Sequence, residues 1–133
     1  MTAEAWWREL VYSTYTLSGV EPKELDKNYD QLFTSVYNRF NAGDAYTIFP
    51  DVLPTLEELK NQGFRMGVIS NADERLATII DNLELGKYFD FVLASADVGV
   101  VKPNKAIYDK ALKAAGREVK PQEALHVGDD VET

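Results

Sequence analysis

Arg65-Met66-Gly67-Val68-Ile69-Ser70-Asn71-Ala72-Asp73 is the stretch on which the fold turns. A short apolar run ends in a hydroxyl and an amide, and then meets an aspartate able to cap a helix. This is the order of a strand, a loop at its carboxyl end and a helix start. Two more loops follow apolar runs in the same way. Lys102 comes after Phe91-Val92-Leu93, and the pair Asp129-Asp130 comes after Ala124-Leu125-His126-Val127. One hydroxyl, one cation and one carboxylate pair, each just past a strand, suggest a phosphate and metal site.

Outward from that stretch, helices and strands alternate. Pro50 to Gln62 reads as a helix with Val52, Leu56 and Leu59 on one face, stopped by Gly63. Arg65 to Ile69 reads as a strand. The helix after Asp73 buries Leu76, Ile79, Ile80 and Leu83 and ends at Gly86. Phe91 to Leu93 is a strand. Asn104 to Ala115 is a helix showing Ile107, Ala111 and Leu112, closed by Gly116, and Ala124 to Val127 is the last strand. This alternation predicts an α/β fold, a parallel sheet flanked by helices. Ligands of such sheets sit at the carboxyl ends of strands, where all three polar clusters fall.

Before Asn41-Ala42-Gly43-Asp44 the character differs, and residues 1–46 read as helical. Trp7, Leu10, Val11 and Thr14 recur at helical spacing up to Gly19. A second helix opens near Pro22, a residue suited to a first turn, and carries Leu25, Tyr29, Leu32, Phe33, Val36 and Phe40 as one stripe. Two such helices look like half of a helical bundle. The expected division is therefore 1–46 as a helical part and 47–133 as the α/β part.

The bulk properties exclude several classes. A formal charge of −8 argues against nucleic acid or an anionic membrane as the main partner. It leaves room for a small phosphorylated molecule. There is no cysteine, and His126 is the one histidine, so thiol chemistry and histidine-rich metal sites are out. No apolar run approaches the roughly 20 residues of a membrane span. Glu4 stands where a secretory leader would carry a base. A soluble, cytoplasmic protein is expected.

The candidate residues have stated roles. Ser70 and the free N–H groups after it can hold phosphate oxygens; taken alone, the serine is an ordinary cap or turn. Lys102, held before Pro103, can neutralise a carboxylate and a phosphoryl group; alone, it is a solvated lysine. Asp129 and Asp130 repel each other unless a cation such as Mg²⁺ joins them; alone, they are an acidic turn. Trp6 and Trp7 diverge by about 100° on a helix, so they do not share one core face. His126 is read as structural.

Together, Val68-Ile69-Ser70-Asn71, Lys102-Pro103 after Ser95-Ala96-Asp97-Val98-Gly99-Val100-Val101, and His126-Val127-Gly128-Asp129-Asp130 resemble the second, third and fourth motifs of the haloacid dehalogenase-like hydrolase superfamily. With Trp6-Trp7 in a helical region ahead of them, they are nearest to its domain-containing-protein-three subgroup. The resemblance implies a Rossmann-like core with a helical cap, of which residues 1–46 would be part. It implies Mg²⁺-dependent phosphoryl transfer through an aspartyl-phosphate. Ser70 and Asn71 would hold the substrate phosphoryl group, Lys102 would screen the nucleophile, and Asp129, aided by Asp130, would bind Mg²⁺.

The first motif is missing: no Asp-x-Asp occurs in the chain. In the superfamily that strand lies between the strands carrying the second and fourth motifs, so its loss leaves open edges. The chain therefore reads as a fragment that is inactive alone and prone to self-association through the sheet edge. The competing reading is a catalytically dead binding or dimerisation module. A metal-free dehalogenase is disfavoured by the Asp129-Asp130 pair.

Overall fold

The structure is a computed structural model that describes residues 2–116 and 119–129. Two compact units divide the chain, residues 1–47 and 48–133.

The first unit is helical. Helix α1 (Ala3–Leu17) is capped by the Thr2 hydroxyl, which accepts from the Ala5 N–H. The predicted second helix is two. Helix α2 (Pro22–Leu25) stops at Asp26, and α3 (Tyr29–Arg39) starts after Asn28. Asp26, Lys27 and Asn28 interrupt it: Asp and Asn compete with the helix through their own side chains, and Asp26 accepts from Tyr12 Oη at 2.9 Å. The core is Leu25 and Phe33. Phe33 stacks on Tyr37 with ring centroids 5.2 Å apart, and the Arg8 guanidinium lies 4.4 Å from the centre of the Phe33 ring. Trp6 and Trp7 meet edge to face at 5.0 Å, and Trp6 is exposed.

Two tyrosines of this unit carry a pH dependence. Tyr12 is raised above 10.0, first by its hydrogen bond to Asp26 and then by burial. Tyr29 is raised chiefly by burial. Folding thus favours both protonated forms. Their contribution is complete below pH 10.0 and is lost as pH rises through the raised values. In an ultraviolet titration, Tyr12 and Tyr29 should ionise late, and Tyr12→Phe should remove one late-ionising group. All seven tyrosines ionising together would contradict it.

The second unit begins with α4 (Val52–Asn61), followed by Gly63 at φ 83°. Strand β1 is Gly67–Ser70, two residues later at its start than the apolar run suggested. Helix α5 (Leu76–Asn82) connects it to β2 (Phe91–Ala94). The strands are parallel and in register from Gly67 opposite Phe91 to Ser70 opposite Ala94. Gly67 has a reason to lack a side chain: a Cβ there would lie 2.2 Å from the Phe91 ring. Helix α6 (Ser95–Val98) follows β2 directly. Helix α7 (Lys105–Ala114) is capped by Asn104, whose Oδ1 accepts from Ala106 N, and packs on both strands. Ile107 and Ala111 of α7 join Leu85, Tyr88 and Ala94 in the core.

Three local expectations are corrected. Helix α5 is stopped by Glu84, a non-glycine at φ 58°, rather than by Gly86, which opens a 3-10 turn. Asp73 does not cap α5. Its carboxylate accepts from the Arg75 backbone N–H and guanidinium, turning the chain one residue earlier. The expected last strand, Ala124 to Val127, is not a strand; Leu125 is 89% and Val127 82% exposed. A strand exists through a neighbour's hydrogen bonds. The neighbour expected for this one is the strand that no Asp-x-Asp run supplies. His126 rests its ring edge-on against Tyr108 at 5.4 Å.

Candidate functional site

The site is built where β1 and β2 end side by side. Ser70 closes β1, opposite Ala94, which closes β2. Because the strands are parallel, both following loops leave from the same end of the sheet. Three contacts then stitch these loops together. Ala72 C=O accepts from Ser95 Oγ at 3.2 Å and from the Ala96 N–H at 3.1 Å. Asn71 makes the third: its Oδ1 accepts from the Lys102 N–H at 2.7 Å, and its Nδ2 donates to the Lys102 C=O at 3.1 Å. The peptide between Lys102 and Pro103 is cis. Asp73 and Arg75, at 2.6 Å and both largely buried, hold the far side of the β1 loop.

Ser70, Asn71 and Lys102 are therefore parts of one loop assembly. Asp129 is not joined to it; it lies in an exposed stretch without helix or strand. Asp130 falls outside the described residues. Among the described residues, no three His, Asp or Glu side chains gather closely enough to hold a metal ion. At the opposite end of the strands, Arg65 pairs with Asp90 at 2.8 Å and donates to the Ala115 carbonyl. A cation at the last turn of α7 suits that helix's dipole. This fixes the sheet's other end and is structural.

Sequence reasoning missed Ser95, Ala72 and Arg75 as parts of the assembly. Ser95 was visible only as a polar residue beginning the segment before Lys102. Nothing in its spacing showed that it would reach the β1 loop.

The serine at one strand tip and the lysine on the next loop belong to a parallel α/β layer of the Rossmann-like kind. The chain belongs to the haloacid dehalogenase-like hydrolases, whose family model matches residues 1–132. It is 37% identical over 130 residues to haloacid dehalogenase-like hydrolase domain-containing protein 3 of Xenopus laevis, covering 98% of this chain and 51% of that protein. It is 34% identical over 132 residues to the Rhythmically expressed gene 2 protein of Drosophila melanogaster, covering 97% and 51%. Over 83 residues it is 39% identical to glyceraldehyde 3-phosphate phosphatase of Methanopyrus kandleri, covering 61% and 34%. The chain spans about half the length of the first two relatives. No helix among the described residues is long and apolar enough to cross a membrane.

Proposed function

We propose that this chain is the phosphate-holding part of a phosphohydrolase that acts on a small phosphorylated molecule through an aspartyl-phosphate. The observation that carries the reading is the pair of loops after β1 and β2, joined at one end of the sheet by Asn71 and Lys102. The phosphatase named among the relatives supports the substrate class. On this reading the Ser70 hydroxyl donates to a phosphoryl oxygen, beside backbone N–H groups of the turn that follows. The Lys102 ammonium offsets the charge of the attacking carboxylate and of the transferring group. Residues 1–46 act as part of a cap that keeps water out. Mg²⁺ dependence belongs to the proposal for the whole protein, where the metal would neutralise phosphate charge; this chain offers it Asp129 and Asp130.

The attacking acid matches no Asp-x-Asp in this sequence, so the chain alone should not turn over p-nitrophenyl phosphate. Mg²⁺-dependent turnover that vanishes in Asp129→Ala would refute that. Phosphate binding is tested separately. Inorganic phosphate should shift the Ser70 and Asn71 amide resonances. Lys102→Ala should weaken that binding about 10-fold or more, the effect of losing one charge-assisted hydrogen bond. No phosphate-dependent shift at Ser70 would remove the reading.

A further inference from the structure

The side chain of Asn71 is fully occupied with another residue's backbone. Its carbonyl accepts from the Lys102 N–H, and its amide donates to the Lys102 C=O. An asparagine side chain carries one acceptor and one donor group on a planar unit, so it can meet both polar groups of a single residue at once. Serine would offer one hydroxyl, aspartate acceptors alone, and glutamine the same amide on a stem one methylene longer. Residues 71 and 102 are 31 apart in the chain, so this two-point contact is not a local turn.

Building on the phosphate-site reading, we propose that Asn71 is a positioning residue that aims Lys102, rather than a substrate ligand in its own right. A lysine ammonium sits on a flexible four-carbon stem, and its reach is set by where its Cα is held. The loop between Val98 and Asn104 has no helix or strand; besides the turn at Gly99, Lys102 and Pro103 form a turn closed by the Asn104 N–H donating to the Val101 carbonyl at 3.0 Å, which shapes the loop locally but does not tie it to the β1 loop. Two bonds to the backbone of Lys102 fix both the place and the rotation of that residue. Asn71 is chain neighbour to Ser70, so the clamp also sets the spacing between the hydroxyl and the ammonium. The loop bonds from Ala72 to Ser95 and Ala96 hold the same two segments at their base, leaving Asn71 to hold the tip. The Lys102 ammonium then swings from a fixed Cα, which limits the region its charge can reach.

Amide hydrogen exchange on the ¹⁵N-labelled chain reads the clamp without any ligand. In Asn71→Ala, the Lys102 amide should exchange about 10-fold faster or more, while Ile69 and Leu93 amides stay within about twofold, because only the tip opens. Asn71→Asp keeps an acceptor for the Lys102 N–H and should retain most of the protection. An unchanged Lys102 amide in Asn71→Ala would overturn the proposal. So would a uniform acceleration across both strands, or an Asn71→Asp variant as fast as Asn71→Ala. Inorganic phosphate titrations then read the consequence. Asn71→Ala should weaken binding several-fold, yet add nothing in a Lys102→Ala background, since a residue acting through another shows no effect once that other is gone. Additive losses would overturn the positioning role and make Asn71 a direct ligand. If wild type binds no phosphate, the phosphohydrolase reading fails, while the exchange data still decide whether the clamp exists.

Discussion

Ile107→Ala will destabilise the unit that carries the site by about 2–5 kcal/mol, the range for removing a buried isoleucine's side chain. Ile107 is 0% exposed and sits on α7, which packs on both strands. Removing three carbons there leaves a cavity between α7 and the two strands of the sheet among the described residues, both of which α7 covers. Ile107→Val, which removes one methyl, should cost about 0.5–1.5 kcal/mol. Both tryptophans lie in the first unit, so the effect must be followed by exchange of the β1 and β2 amides in urea. An Ile107→Ala chain whose strand amides are as protected as the wild type's would show that α7 does not cover the sheet. The loops carrying Ser70 and Lys102 leave from those same strands, so phosphate binding should fall together with strand protection.

Phe33→Ala is the second large effect, and it falls on the other unit. Phe33 is 2% exposed, stacks on Tyr37, lies 6.2 Å from Tyr29 and carries the Arg8 guanidinium over its face. Truncating it removes about 3–5 kcal/mol of packing. A helical unit of fewer than 50 residues buries too little surface to absorb such a loss. Trp6 and Trp7 both report on this unit. Their emission should shift towards that of solvent-exposed indole, and helical circular dichroism should fall. Phe33→Leu keeps most of the volume and loses the ring contacts, so it should cost roughly 1–1.5 kcal/mol. Native-like tryptophan emission in Phe33→Ala would mean that the aromatic row does not hold the helices together.

Much of the fold was legible because its signals are local. The stripe through Leu76, Ile79 and Ile80 gave α5, and the stripe through Ile107 and Ala111 gave α7. The glycines at 63 and 116 closed helices at φ 83° and 76°, a conformation that glycine adopts without strain. The break between α2 and α3 was harder, since an apolar stripe ran straight across it. There a tyrosine hydroxyl from α1 engages Asp26, and that contact is invisible in the stripe. The end of α5 at Glu84 misled for a similar reason: a glutamate in the left-handed region has no compositional sign.

The candidate site was half legible. Ser70 and Lys102 were found as polar residues following apolar runs, and their loops are bound to each other. Asp129 was found by the same pattern, yet its apolar run is exposed and joins no sheet. Four residues such as Ala124 to Val127 have strand-like composition wherever they go. Composition measures a readiness to pair and carries no information about the partner.

The amino-acid order by itself determined that α1, α4, α5 and α7 would be helices, that β1 and β2 would be strands, and which loops would carry a hydroxyl, a cation and acids. Those are matters of side-chain period and of what the next few residues allow. Only the tertiary structure decided that β1 lies against β2, that Ala124 to Val127 pairs with nothing described, and that the Asn71 side chain grips the backbone of Lys102. Each of these depends on hydrogen bonds between groups far apart in the chain, and such bonds form only after the chain has brought them together.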